Sequence, residues 1–402
     1  MLTSLALIFL VGMTLGWLFT RLRLPSLFGM LITGILLGPY VLNLLDDSIL
    51  GISADLRQLA LIIILTRAGL SLNLSDLKKV GRPAILMCFV QACFEMAGMV
   101  LLAPRILHIS VLDAAILGSV IAAVSPAVVV PKMLRLMETG YGTDKSIPQM
   151  ILAGASVDDI FVIVMFSSFT GLAQGGTLSP STFAQIPVSI VTGVLLGAAV
   201  GTAFGLFYRR FHVRDSVKVV VLLSISFLLV ALEDKLEGTL PFSGLLAVMS
   251  CGIALNRCRP EVATRLSGKY SRLWVASEVI LFVLVGASVD IQYALASGAA
   301  AVLVILGALV FRMAGVFVCM LGTKLNLRER LFCMLAYLPK ATVQAAIGSV
   351  PLAMGLSCGP VVLTVAVLAI LITAPLGAFS VDMTYRRLLQ PSTEHAVSET
   401  TG

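Results

Sequence analysis

Apolar residues run along this chain in blocks of about twenty, the length at which a helix spans the hydrocarbon of a bilayer. Short polar stretches separate the blocks, and the pattern recurs from end to end. Thirteen blocks are legible: residues 2–20, 24–45, 56–74, 83–103, 111–131, 147–171, 186–208, 217–233, 240–256, 272–290, 297–320, 329–352 and 361–382. Backbone polar groups find no partner in lipid, so a helix is the form each block must take. The pattern therefore predicts an all-α polytopic membrane protein with about 13 transmembrane helices in a single integral-membrane domain, residues 1–387. A disordered cytoplasmic tail is expected over 388–402, where Ser, Thr and Glu replace the apolar residues. The first block has no base ahead of it, with Arg21 and Arg23 following, which is not the layout of a cleavable leader.

Charge fixes the orientation. Only 12% of residues are charged, about half the fraction usual in soluble domains. Of the 28 Lys and Arg, Arg57, Arg105 and Lys235 fall in loops on one side, and Arg67, Arg312 and Lys340 lie within blocks. All the others, including Lys78, Lys79, Arg265 and Lys269, fall in loops on the opposite side. By the positive-inside rule this puts the N-terminus outside and the C-terminus inside. The net charge of +7 is thus spread over short loops, which leaves no nucleic-acid face. The seven cysteines form no CxxC, and His108, His212 and His395 lie in loops or the tail, so no zinc site or redox pair is indicated.

The blocks repeat in sequence as well as in length. The second runs from Leu24-Pro25 through Gly29 to Gly34 and Gly38; the ninth runs from Leu240-Pro241 through Gly244 to Gly252 and Asn256. The third ends Arg67-Ala68-Gly69-Leu70-Ser71, and the tenth ends Gly286-Ala287-Ser288-Val289-Asp290. Glu95 in the fourth block corresponds to Arg312 in the eleventh. Each pair is seven blocks apart, an odd number, so its members enter the membrane from opposite sides. The expectation is an inverted-topology repeat, 1–171 against 217–382, joined by a connecting helix at 186–208.

Two corresponding blocks also carry prolines in mid-span, at Val124-Ser125-Pro126 and at Leu338-Pro339-Lys340. Proline removes a backbone donor and frees a carbonyl one turn back, so both helices are expected to break and cross. Unwound backbone at membrane depth belongs where it lines a cavity or packs in protein, and half-helix ends point partial charges at one spot. Asp158 and Asp159 sit at the middle of the sixth block, which is otherwise uncharged. A carboxylate at the bilayer centre costs on the order of 2.5–3.5 kcal/mol on the mildest scale, so two in succession need a reason. The chemistry that supplies one is binding of a cation. Successive residues on a helix diverge by about 100°, so one carboxylate can face a cavity while the other meets a neighbouring helix. Burial and mutual repulsion disfavour ionising both together. The candidate counter-charges are Glu95, Arg312 and Lys340, with Arg67 and Glu278 nearer the helix ends. Glu95 and Arg312 are expected to bridge, leaving Lys340 as the partner of Asp158.

The segments Val124-Ser125-Pro126-Ala127-Val128-Val129-Val130-Pro131, Ser156-Val157-Asp158-Asp159 and Leu338-Pro339-Lys340-Ala341-Thr342-Val343-Gln344, in that order, resemble the Na⁺/H⁺ antiporters of the monovalent cation:proton antiporter superfamily. The branch they resemble is that of the NHA-type sodium/hydrogen exchangers and their bacterial relatives, and the likeness covers nearly the whole chain. The resemblance implies a homodimer, multi-pass in the cell inner (plasma) membrane, that works by alternating access without a cofactor. It places the main cation and proton ligand on Asp159, with Asp158 assisting, and the crossing breaks near Ser125 and Thr342. Lys340 supports the site, and Glu95 with Arg312 forms a structural or modulatory pair. Many bacterial members have lysine where this chain has Arg312, and arginine does not release a proton, which bears on how many protons move per cation.

The function implied is exchange of cytoplasmic Na⁺ or Li⁺ for external protons. A K⁺/H⁺ antiporter shares the expected fold, as does a sodium-coupled symporter of organic anions, although a symporter needs no central aspartate pair. An intramembrane aspartyl protease needs two aspartates that face each other, which adjacent residues on one helix cannot do. An enzyme is not expected.

Overall fold

The computed structural model describes residues 1–22, 24–72, 81–174, 180–211, 213–236 and 242–392. Expectations for Arg23, Lys78, Lys79, His212, His395, the Leu240-Pro241 opening of the ninth block and the tail from 393 onward lie outside the described residues. In chain order the helices are α1 (Leu2–Arg21), α2 (Ser26–Leu37), α3 (Asp47–Gly51), α4 (Ser53–Ser71), α5 (Arg82–Leu86) and α6 (Val90–Ile106). There follow α7 (Val111–Ile121), α8 (Pro126–Glu138), α9 (Ile147–Gln174), α10 (Pro180–Arg210), α11 (Asp215–Leu236) and α12 (Gly244–Cys258). The last are α13 (Pro260–Ala287), α14 (Ile291–Cys319), α15 (Leu327–Ala336), α16 (Thr342–Ile347), α17 (Val350–Ala353) and α18 (Gly359–Leu388). Every apolar block has a helical counterpart. Among the described residues, nine helical stretches are long and apolar enough to cross a membrane, and three shorter apolar helices join them.

Several helix ends differ from the reading of the sequence: α2 stops at Leu37 rather than 45 and α10 starts at Pro180 rather than 186, and two further differences bear on packing. The tenth block was expected to begin at 272, but α13 begins at Pro260. Proline suits the first position of a helix. Arg265 and Lys269, one turn apart on α13, reach Asp215 (2.9 Å) and Ser216 (3.3 Å) on α11, so bases that read as loop lie on one helical face. The tail was expected to be disordered from 388. Leu388 is still helical, and residues 390–392 pair with the turn between α8 and α9. Gly142 N–H donates to the Gln390 carbonyl (2.9 Å) and Ser392 N–H to that of Gly140 (2.7 Å), with the Tyr141 and Tyr385 rings edge to face.

The chain divides into two compact units: Met1–Ile49, Ser75–Val162 and Phe282–Gly402 form the first, and Leu50–Leu74 with Ile163–Leu281 the second. In the second, α10 and α12 meet through small residues spaced four apart. A methyl group on Gly197 would lie 2.2 Å from the Ala247 carbonyl oxygen, and one on Gly201 2.2 Å from that of Cys251. Lipid tails are as apolar as leucine, so van der Waals contact between such stripes, rather than exclusion of water, holds the helices together. In the first unit α6 and α14 cross reciprocally. Gly98 sits under the Phe311 ring (2.6 Å from a built Cβ to Cγ), and Gly315 lies against Phe94 (2.9 Å to its Cβ). This approach puts Glu95 and Arg312 face to face.

Candidate functional site

Proline and its neighbours set both breaks. Helix α7 stops at Ile121, and α8 restarts with Pro126 in its first turn, Ser125 serving as its N-cap. Helix α15 stops at Ala336, and α16 starts at Thr342; between them Leu338 precedes Pro339, a position that disfavours helical backbone. The two extended stretches touch. Ser125 N–H donates to the Pro339 carbonyl (2.8 Å).

Each break is also tied to the long helix beside it. Val124 N–H donates to Asp158 Oδ2 on α9 (2.7 Å), and Lys340 N–H to Thr373 Oγ1 on α18 (3.0 Å). The last carbonyls of α7, which have no partner within the helix, are met by side chains. Lys340 Nζ donates to Ile121 O (2.6 Å), Arg312 to Ala122 O, and Gln344 Nε2 to Ala123 O (2.9 Å). Cationic and amide donors at a helix C-terminus offset its negative dipole end.

The charges form one buried cluster. Arg312, Glu95, Lys340 and Asp158 are each 0% exposed. Arg312 Nη1 lies 2.5 Å from Glu95 Oε2, and its other terminal nitrogen 3.5 Å from Asp158 Oδ2. Its Nε donates to the Tyr337 carbonyl (2.6 Å). Lys340 Nζ lies 2.6 Å from Glu95 Oε1. Lys340 is therefore paired with Glu95, not with Asp158 as expected, and the base beside Asp158 is Arg312. The planar guanidinium fork holds its donors in fixed directions, so one side chain addresses Glu95 and Asp158 together.

The two aspartates differ sharply. Asp158 has both oxygens engaged, Oδ1 by the Gln91 amide and Oδ2 by Val124 N–H. Asp159 is only partly buried as a residue, yet its Oδ1 is enclosed and has no hydrogen-bond partner among the described residues. Ser125 Oγ is likewise enclosed and unpartnered among the described residues. Ser125 adjoins Val124, and Val124 is bonded to the neighbour of Asp159, so chain connectivity brings these two acceptors to one neighbourhood. Thr342 is buried at the first turn of α16. Arg67 and Glu278 belong to the second unit. Gln91 and Thr373 were not singled out from the sequence. An uncharged amide or hydroxyl in an apolar run carries little signal, although Gln91 precedes Glu95 by four residues and so shares its helix face.

Residues 5–387 match the family model for the transmembrane part of the sodium/hydrogen exchanger. The chain belongs to the sodium/hydrogen exchanger family. It is 34% identical over 422 residues to sodium/hydrogen exchanger 9B2 of Mus musculus, covering 98% of this chain and 75% of that one. To the 9B2 protein of Homo sapiens it is 35% identical over 390 residues, covering 91% and 70%. Its fold is that of the sodium proton antiporter MjNhaP1 of Methanocaldococcus jannaschii, with a TM-score of 0.84 at 19% identity over 96% of this chain and 98% of that one. Family membership places the chain among multi-pass membrane ion transporters and not among enzymes.

Proposed function

We propose that this exchanger-family protein is a Na⁺(Li⁺)/H⁺ antiporter that exports the cation across the cell membrane in return for an external proton, with Asp159 as the exchanging ligand. The observation that carries the reading is the contrast within the aspartate pair beside the joined breaks: Asp158 fully engaged, Asp159 Oδ1 and Ser125 Oγ enclosed but unpartnered among the described residues. Hard oxygen donors with unmet capacity suit a dehydrated alkali cation, and half-helix ends with unwound carbonyls are where transporters hold such ions. Thr342 lies at the second break and completes the proposed supporting set; Lys340 acts by fixing Glu95 and the end of α7.

The charge balance supports exchange of one proton per cation. Two buried cations, Arg312 and Lys340, stand among three carboxylates, Glu95, Asp158 and Asp159. One negative charge is left over, and a single proton or a single sodium ion makes it good. Asp159 holds one or the other, never both. Cytoplasmic Na⁺ displaces the proton, the loaded site turns outward, and external protons release the ion. The neutral site then returns.

Inverted halves, 1–171 and 217–382, are part of the same proposal, with the N-terminus outside, the connecting helix between them and the chain working as a homodimer. The interval from Glu95 to Arg312, 217 residues, also relates Gly98 to Gly315, Phe94 to Phe311, Gly69 to Gly286 and Ser125 to Thr342. Under it the Gly98–Phe311 contact becomes the Gly315–Phe94 contact, as a two-fold relation requires.

The test is reconstitution in liposomes with a trapped pH dye and an imposed pH gradient, followed by addition of Na⁺, Li⁺, K⁺ or choline. Dequenching with Na⁺ or Li⁺, absent for Asp159→Asn, is the expected result. A response to K⁺ alone moves the protein to potassium exchange, and full activity in Asp159→Asn sinks the site assignment.

A further inference from the structure

Gln91 is fully buried in the first turn of α6, and its polar atoms are arranged unevenly. Nε2 makes two hydrogen bonds, one to the Met87 carbonyl a turn back (3.2 Å) and one to Asp158 Oδ1. Oε1, equally enclosed, makes none among the described residues. Rotating the amide by half a turn would give Oε1 no donor and would set it against a carboxylate, so the orientation is fixed by chemistry. A buried acceptor left unpaired is costly; a leucine at this position would remove this one but would leave Asp158 Oδ1 without its donor.

Of the groups that hold Asp158, Gln91 has the fewest other ties, its Nε2 also meeting the Met87 carbonyl a turn back. Val124 N–H is main chain at the break. Arg312 is bound to Glu95, Ala122 O and Tyr337 O as well as facing Asp158. Without Gln91, the Asp158 carboxylate is held through Oδ2 alone and can swing about that contact. Its neighbour on the chain, Asp159, shares the same turn of α9.

We infer that Gln91 is a positioning residue for cation binding: its amide fixes the rotation of the Asp158 carboxylate, and through it the alignment of α9 against the Val124–Ser125 peptide where the cation is taken up. This rests on the exchange reading above. Gln91 governs how tightly the cation is held, and not how fast the loaded site moves.

The experiment uses the full-length protein in liposomes, with Na⁺, Li⁺ and K⁺ run in parallel, and compares wild type with Gln91→Leu and Gln91→Asn. Gln91→Leu removes the amide and with it the orphaned oxygen, but it also strips the buried Asp158 Oδ1 of its donor. The two effects oppose each other, so its melting temperature in detergent should fall only modestly below that of wild type. Loss of a hydrogen bond to a charged group is expected to raise KM for the cation on the order of tenfold, with kcat within about twofold. Gln91→Asn, a methylene short, should show the same split. A second arm reads sodium-dependent thermal stabilisation in an Asp158→Ala background, where Gln91→Leu should have no further effect because its partner is gone. A folded Gln91→Leu with unchanged KM overturns the inference, as does an undiminished penalty in the Asp158→Ala background. Absence of wild-type exchange with any of the three cations would overturn the exchange reading and this inference together; failure of the Gln91 arms with an active wild type overturns the inference alone.

Discussion

Replacing Glu95 by glutamine removes the one carboxylate that answers two buried cations. Arg312 Nη1 (2.5 Å) and Lys340 Nζ (2.6 Å) both close on it, and all three side chains are excluded from solvent. The amide that replaces it can accept from one cation only. Arg312 keeps the carbonyls of Ala122 and Tyr337 and the more distant Asp158, whereas Lys340 keeps only Ile121 O. Breaking a buried ion pair by removing one partner costs about 3–5 kcal/mol, because the surviving charge stays desolvated. With an unfolding entropy of about 2 cal/mol/K per residue over 402 residues, that loss lowers the melting temperature by about 4–6 °C. The assay is thermal unfolding of the purified protein in one detergent, at one pH and salt, alongside Glu95→Gln/Lys340→Met. Removing the lysine charge restores a match between one cation, Arg312, and one carboxylate, Asp158, so the double variant should recover at least half of the loss, a coupling expected of groups in one network. A Glu95→Gln protein melting within about 1 °C of wild type, or a double variant no more stable than Glu95→Gln alone, would refute the account of this cluster.

Further outcomes follow from the same geometry. Gly154→Ala should destabilise by about 1–3 kcal/mol, the cost of overpacking, since its methyl would lie 2.2 Å from the Tyr337 hydroxyl oxygen and 2.9 Å from Met87 Cβ; adding Tyr337→Phe should relieve part of it in the same melting assay. The Tyr337 hydroxyl donates only a long bond to Ile151 O (3.4 Å), so Tyr337→Phe alone should change little. Because a proton and a cation compete for one carboxylate, half-saturating Na⁺ in proteoliposomes should rise by about tenfold per pH unit on the acid side and level off on the alkaline side. A half-saturation constant flat across pH would remove the competition on which the one-for-one exchange depends.

Much of the architecture was legible because the bilayer imposes a simple code. Length and apolarity marked the long apolar helices, and proline in two corresponding blocks marked the breaks at Ser125 and Pro339, since backbone chemistry alone dictates them. The short α3 and the division of the fourth block into α5 and α6 were not marked. The start of α13 was not legible: Arg265 and Lys269 look like loop residues until their one-turn spacing is matched with Asp215 and Ser216 on another helix. The aspartate pair stood out by its cost in hydrocarbon. Which base serves which acid did not, because sequence spacing cannot choose between Arg312 and Lys340 once both are buried beside Glu95. Gln91 and Thr373 were hidden for a related reason. Neutral polar groups acquire meaning only from what a distant part of the chain places against them, here a carboxylate 67 residues away and a peptide N–H 33 residues away.

The bond from the Val124 peptide to Asp158 has an evolutionary consequence. Its donor belongs to the main chain, so nineteen of the twenty amino acids carry it equally well, and proline alone lacks it. Side chains around the break can therefore drift, retuning size and polarity for one ion or another, while the anchor of the charged site passes unchanged from one sequence to the next. Ion preference within such a lineage can change by ordinary substitution without the site first having to be dismantled.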